Sequence, residues 1–164
     1  MLPAQSMLSV TIAVSDNNPT PPELCSTDGP SVPTAEATFL MKVPSVAVID
    51  DDEALGLSVT DFMRATDYRA EHFSSAEAFL VSAHLLGFDC IIADIQMPGI
   101  SGIELAQQLR KQNIMTPIIL ITALPYEHLD DEAITAGALC LLRKPFVMEL
   151  LAGWVEKGIG RSNH

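Results

Sequence analysis

From Ser45 onward short apolar runs alternate with amphipathic stretches. Val46-Ala47-Val48-Ile49, Cys90-Ile91-Ile92-Ala93, Ile118-Ile119-Leu120-Ile121 and Leu139-Cys140-Leu141-Leu142 are continuous rather than alternating, the pattern of parallel strands covered on both faces. Tyr68 to Phe73 is more polar and reads as an edge strand. Between the runs, Leu55, Val59, Phe62, Met63 and Thr66 share one helical face, as do Ala76, Phe79, Leu80 and Ala83. Ser74 with Glu77 and Ser101 with Glu104 have the spacing of capping boxes. A last helix is predicted from about Val147 to Ile159. Five strands alternating with five helices imply an α/β fold, a doubly wound parallel sheet.

Before this pattern the chain differs in kind. The first 41 residues hold no Lys or Arg and are rich in Pro, Ser, Thr and Asn without sustained periodicity, so residues 1–43 read as a disordered extension. Leu8 to Val14 lacks the basic start of a signal peptide, and Met41 is a candidate biological start. The domain is expected over residues 44–160, with 161–164 a tail that leaves no room for an output domain in this chain.

At 164 residues the chain suits one domain plus a tail. Nine Lys and Arg against 21 Asp and Glu give a net charge of −12, which repels nucleic-acid backbones, and no apolar run is long enough to span a bilayer. Cys25, Cys90 and Cys140 lack metal-ligand spacing, and the last two sit in apolar runs; reduced thiols and a cytoplasmic location follow.

In an open parallel sheet ligands bind beyond the carboxyl ends of the strands. There the first run ends in Asp50-Asp51-Asp52, the third in Asp94 and the fourth in Thr122, and Lys144 follows the fifth. Clustered carboxylates tolerate one another when a cation joins them, and Mg²⁺ or Mn²⁺ suits such oxygen ligands. No glycine-rich phosphate cradle accompanies the acidic turn, which argues against a nucleotide pocket. Carboxylates, a cation, a hydroxyl and an ammonium suit phosphoryl transfer to an aspartate. Thr122 and Lys144 are expected on an exposed rim.

Val48-Ile49-Asp50-Asp51-Asp52-Glu53, Ala93-Asp94-Ile95-Gln96-Met97-Pro98-Gly99, Ile121-Thr122-Ala123, Ala136-Gly137-Ala138 and Lys144-Pro145-Phe146 together resemble the receiver domain of bacterial two-component response regulators. Phe73-Ser74-Ser75-Ala76-Glu77 gives the resemblance a FixJ-like character. It implies a five-stranded sheet in the order 2-1-3-4-5, with Asp94 as phosphoacceptor and Asp50 and Asp51 as the metal-binding pair. The backbone carbonyl of Gln96 becomes a further metal ligand, Thr122 the switch hydroxyl and Lys144 the phosphate-binding cation. A cis Lys144-Pro145 peptide is implied too. A sensor histidine kinase or phosphotransfer protein becomes the partner, and the protein would catalyse only its own phosphorylation and dephosphorylation.

Leu141 stands where receivers usually carry a Tyr or Phe, which removes the ring of the usual readout. Leu150 and Trp154 form an apolar stripe beside Val147, Leu151 and Val155. With the second stripe turned inward, Leu150 and Trp154 would serve a homodimer or effector contact through the fourth helix, fifth strand and fifth helix. Two other readings compete. A haloacid-dehalogenase-type phosphatase could use Asp50 and Asp52, but Ala54 stands where that family has Thr or Val, and no acidic pair follows Lys144. A receiver-like scaffold would bind partners without phosphate. His72, His84 and His128 are widely spaced and read as surface or edge groups.

Overall fold

Consecutive apolar side chains point to alternate faces of a strand, so each continuous run needs helices on both sides. The computed structural model describes residues 42–160 and meets this demand. β1 (Ser45–Ile49), β3 (Cys90–Asp94) and β4 (Ile118–Thr122) are buried at every position. β2 (Arg69–Phe73) and β5 (Cys140–Arg143) are more exposed and form the edges. All neighbours pair in parallel, in the order β2-β1-β3-β4-β5.

Five helices alternate with the strands: α1 (Glu53–Ala65), α2 (Ala76–Leu80), α3 (Gly102–Lys111), α4 (His128–Thr135) and α5 (Met148–Ile159). On one face Val59 and Met63 of α1 and Leu151 and Val155 of α5 pack on Val46, Val48, Ile92, Ile119 and Ile121. On the other, Phe79, Leu105, Leu109 and Ala133 from α2, α3 and α4 pack on Ile49, Ile91, Ala93 and Leu120. Cys90 and Cys140 are free thiols in the interior, which burial pushes up to about 12 and about 11, leaving them protonated at neutral pH. Among the described residues no helix is long and apolar enough to cross a membrane. The expectations for the extension before Lys42, including Cys25 and Met41, and for residues 161–164 fall outside the described residues.

Three local expectations need correction. The capping box predicted at Ser74 does not form: Ser75 is the N-cap and accepts from the Ala78 N–H at 3.1 Å. With the helix starting one residue later, Glu77 occupies its second position and instead accepts from the Ile100 N–H at 2.9 Å. The box of Ser101 and Glu104 is present in full. α2 also stops at Leu80, before Ala83; a turn and a short 3-10 segment at Leu85–Gly87 then bring Phe88 against Phe73 and Phe79, with ring centroids 5.8 Å apart in each pair. Finally, Val147 is not on the inward stripe of α5. It is the N-cap in an extended conformation and is 63% exposed, whereas Leu151 and Val155 are fully buried.

Candidate phosphoryl-transfer site

The chain leaves β1 for β2 on one side and returns to place β3 on the other, so a crevice opens between the carboxyl ends of β1 and β3. Ile49 lies in register with Ala93, and Asp50 and Asp94 therefore emerge side by side. One carboxylate oxygen each from Asp50, Asp51 and Asp94 falls within 4.8 Å of the others. Asp50 and Asp94 are buried and Asp51 is exposed, so the cluster has a protein side and a solvent side.

Local backbone geometry supports each acid. Asp50 accepts from the Asp52 N–H at 2.9 Å, and Asp94 accepts from the Gln96 N–H at 2.8 Å, two short turns that fix the carboxylates over their strand ends. Asp52 caps α1 by accepting from the Leu55 N–H, which assigns it to helix initiation. Lys144 arrives from beyond β5, after which the Lys144-Pro145 peptide is cis. Its Nζ donates to Asp94 at 2.6 Å and lies 3.4 Å from Asp50.

The charges do not balance within the cluster: the carboxylates outnumber the single ammonium. Burial raises the Asp50 pKa, and the neighbouring Asp94 charge adds to this against the Asp52 N–H and Lys144. Burial alone would lower the Lys144 pKa, but the hydrogen bond and charge of Asp94, then those of Asp50, raise it overall. An oxygen-only donor set with surplus negative charge and one open side fits a hard divalent cation.

Thr122 ends β4 at the same rim, but it is fully buried rather than exposed. Its hydroxyl oxygen accepts from the Leu124 N–H at 3.0 Å, tying it to the β4–α4 loop. Lys144 is likewise mostly covered, with 21% of its side chain exposed. The exposed rim expected for these two side chains is therefore not what the fold provides: one is buried and the other mostly covered. Gln96 is exposed beside Asp94.

Two contributors were missed in the sequence. Arg143 donates to the carbonyls of Leu124 at 3.0 Å and Tyr126 at 3.2 Å, and pairs with Asp130, holding the loop that follows Thr122. Its place immediately before Lys144 was the available signal. His72, read as a surface or edge group, lies with its Nε2 2.9 Å from the carbonyl oxygen of Asp50. Leu141, in the place of the usual aromatic, packs half-buried against the core on the α3 and α4 side.

Known proteins share this sequence pattern and fold. Residues 46–156 match the response regulator receiver domain family. The transcriptional regulatory protein FixJ of Bradyrhizobium diazoefficiens is 34% identical over 114 residues, covering 70% of this chain and 56% of that protein. The response regulator protein TodT of Pseudomonas putida is 32% identical over 70% of this chain and 50% of its own length. The chain thus spans about half the length of the curated relatives it matches. Among solved structures, a Francisella response regulator 1452 receiver domain superposes with a TM-score of 0.68 at 29% identity, covering 73% of this chain and 99% of that one. The FixJ-N crystal structure gives 0.66 at 28%, covering 76% and 99%. With the family match over residues 46–156 and the strand order in agreement, the chain belongs to the response regulator receiver domain family of two-component systems.

Proposed function

We propose that Asp94 accepts a phosphoryl group from a phosphohistidine on a sensor histidine kinase or phosphotransfer protein, and that the resulting acyl phosphate switches a docking surface. The observation that carries this reading is the position of the Lys144 ammonium, 2.6 Å from Asp94 and 3.4 Å from Asp50, within a cluster of carboxylates at the sheet's switch point. An oxygen of Asp94 attacks phosphorus while the bond from phosphorus to the donor nitrogen breaks. The electron pair of that bond stays with the donor imidazole. Lys144 meets the charge of the transferred group, and the Thr122 hydroxyl at the end of β4 is the switch group that responds to it. Asp50, Asp51, Asp94 and the backbone carbonyl of Gln96 would hold Mg²⁺ or Mn²⁺, whose charge screens the approach of phosphoryl oxygens to the carboxylates.

This chemistry modifies the protein's own side chain and turns over no separate substrate. The reading places the protein in the cytoplasm, in a domain spanning residues 44–160, and two buried free thiols are compatible with that compartment. Output through α4, β5 and α5, to a second copy or an effector, is supported by exposed Leu150 and half-buried Trp154, which border one shallow groove with Lys157. Incubating the full chain with acetyl phosphate and Mg²⁺, followed by intact-mass analysis, tests the proposal. A single phosphoryl adduct that is absent in Asp94→Asn and without the cation is expected; equal labelling of Asp94→Asn would overturn it.

A further inference from the structure

Gly56 is the fourth residue of α1, inside the hydrogen-bonded helix, where glycine costs up to about 1 kcal/mol relative to alanine. The adjoining strand explains it. A Cβ built at Gly56 would lie 2.5 Å from Cδ2 of His72 and closer still to its Nε2, so the glycine is the slot into which the imidazole fits. His72 lies on β2 opposite Val48 and faces α1. Its Nε2 reaches past the helix start to the Asp50 carbonyl oxygen at 2.9 Å. A carbonyl oxygen only accepts, so Nε2–H is the donor.

We infer that His72, seated in the Gly56 slot, is a positioning residue that sets the direction of the acidic pair, and so the cation affinity of the site. The Asp50 carbonyl belongs to the rigid peptide plane that joins Asp50 to Asp51. Pinning its oxygen fixes the orientation from which the Asp51 side chain departs. Asp51 is the exposed member of the cluster, so its backbone is what aims it. Without the imidazole the peptide plane can rotate, and the three carboxylates then meet a cation only after paying for reordering.

The inference rests on the reading of Asp50, Asp51 and Asp94 as the cation site. Binding of Mn²⁺ to the full chain, followed by electron paramagnetic resonance, separates the two, with Asp51→Asn as the control for the site and thermal unfolding recorded for every variant. His72→Leu should weaken Mn²⁺ binding about threefold to tenfold, the range for losing one positioning hydrogen bond. Gly56→Ala should weaken it to a similar degree while leaving the unfolding midpoint unchanged or higher, because it evicts the ring yet improves the helix. His72→Gln, whose side-chain N–H can replace the Nε2–H, should stay within about twofold of wild type. The double variant Gly56→Ala, His72→Leu should bind no more weakly than either single one, since both remove the same contact.

If Asp51→Asn loses binding while both single variants bind as wild type does, His72 has no positioning role and the cation site stands. Additive losses in the double variant, or His72→Gln binding as poorly as His72→Leu, overturn the inference in the same way. Wild type and Asp51→Asn binding alike would overturn the cation site itself, and the role of His72 with it.

Discussion

At the amino-terminal end of the sheet, Asp89 accepts from the Ser45 N–H at 2.9 Å and pairs with Lys42 at 3.1 Å. Burial there raises its pKa less than the Ser45 and Lys42 contacts lower it, so the carboxyl is held below the usual range. At the other end Asp50 also has a backbone N–H and a lysine, yet burial beside Asp94 drives its pKa up. Arg110 on the same rim donates to the carbonyls of Ile114, Thr116 and Gly137, although burial lowers its pKa. One rim gives its charged groups partners that satisfy them. The other collects acids around too few positive charges, which costs stability and leaves a place for a cation and a phosphoryl group. The same residue types are structural at one end and chemical at the other because of how many acids share each cation.

The largest stability effect should come from the satisfied rim. Arg110→Ala strands three carbonyls and should cost about 2–4 kcal/mol in chemical denaturation, while labelling of Asp94 by acetyl phosphate continues. Loss of labelling in a still-folded Arg110→Ala protein would erase the distinction between the rims. Gly137, with φ +91° and a built Cβ only 2.7 Å from Arg110 Nε, belongs to the same arrangement.

Thr122→Ala should cost about 1 kcal/mol, since it removes one buried acceptor of the Leu124 N–H. Its larger consequence should appear in amide spectra: phosphate-dependent shifts should persist beside Asp94 and vanish from the β4–α4 loop and β5. Lys144→Ala should do the same, and retention of those distant shifts in both variants would remove the switch from these residues.

The subtlest effect is one of sign. Asp50, with its pKa raised in the fold, imposes a penalty that is absent below about pH 3.8 and complete once pH exceeds its folded value. Asp50→Asn should therefore raise the unfolding midpoint at pH 7, with the gain shrinking on acidification. Asp89, with its pKa lowered, contributes stability above about pH 3.8 that disappears as pH falls through its folded value. Asp89→Asn should lower the midpoint at pH 7, and that loss should shrink as the medium becomes acidic. Midpoints moving in the same direction for the two variants would contradict the contrast.

What the sequence revealed follows the reach of each signal. Buried strands announced themselves because burial on both faces demands continuous apolar residues, and the acids at their ends could be gathered by topology alone. Strand order came through the resemblance to receivers, which is also what motivates the roles proposed for the individual residues. Local spacing misplaced the α2 cap because Ser74 and Ser75 are adjacent candidates, and only the backbone conformation selects Ser75. It turned Val147 inward because a helical row was extended through a residue that is not helical. Thr122 was placed correctly on its strand but not in its surroundings, since burial at a strand end depends on tertiary packing that strand periodicity does not encode. His72 and Gly56 meet across a helix and a strand, and Arg143 spans from β5 to the loop after β4. No periodicity along the chain encodes such contacts.

The central claim is that the unbalanced rim places one acid, Asp94, to accept the phosphoryl group. Borohydride reduction of the phosphorylated full chain converts an aspartyl phosphate to homoserine, and peptide mass mapping then locates it. The account predicts reduction at position 94 alone, dependent on Mg²⁺ during labelling; reduction at position 50, 51 or any other acid in place of 94 would contradict it.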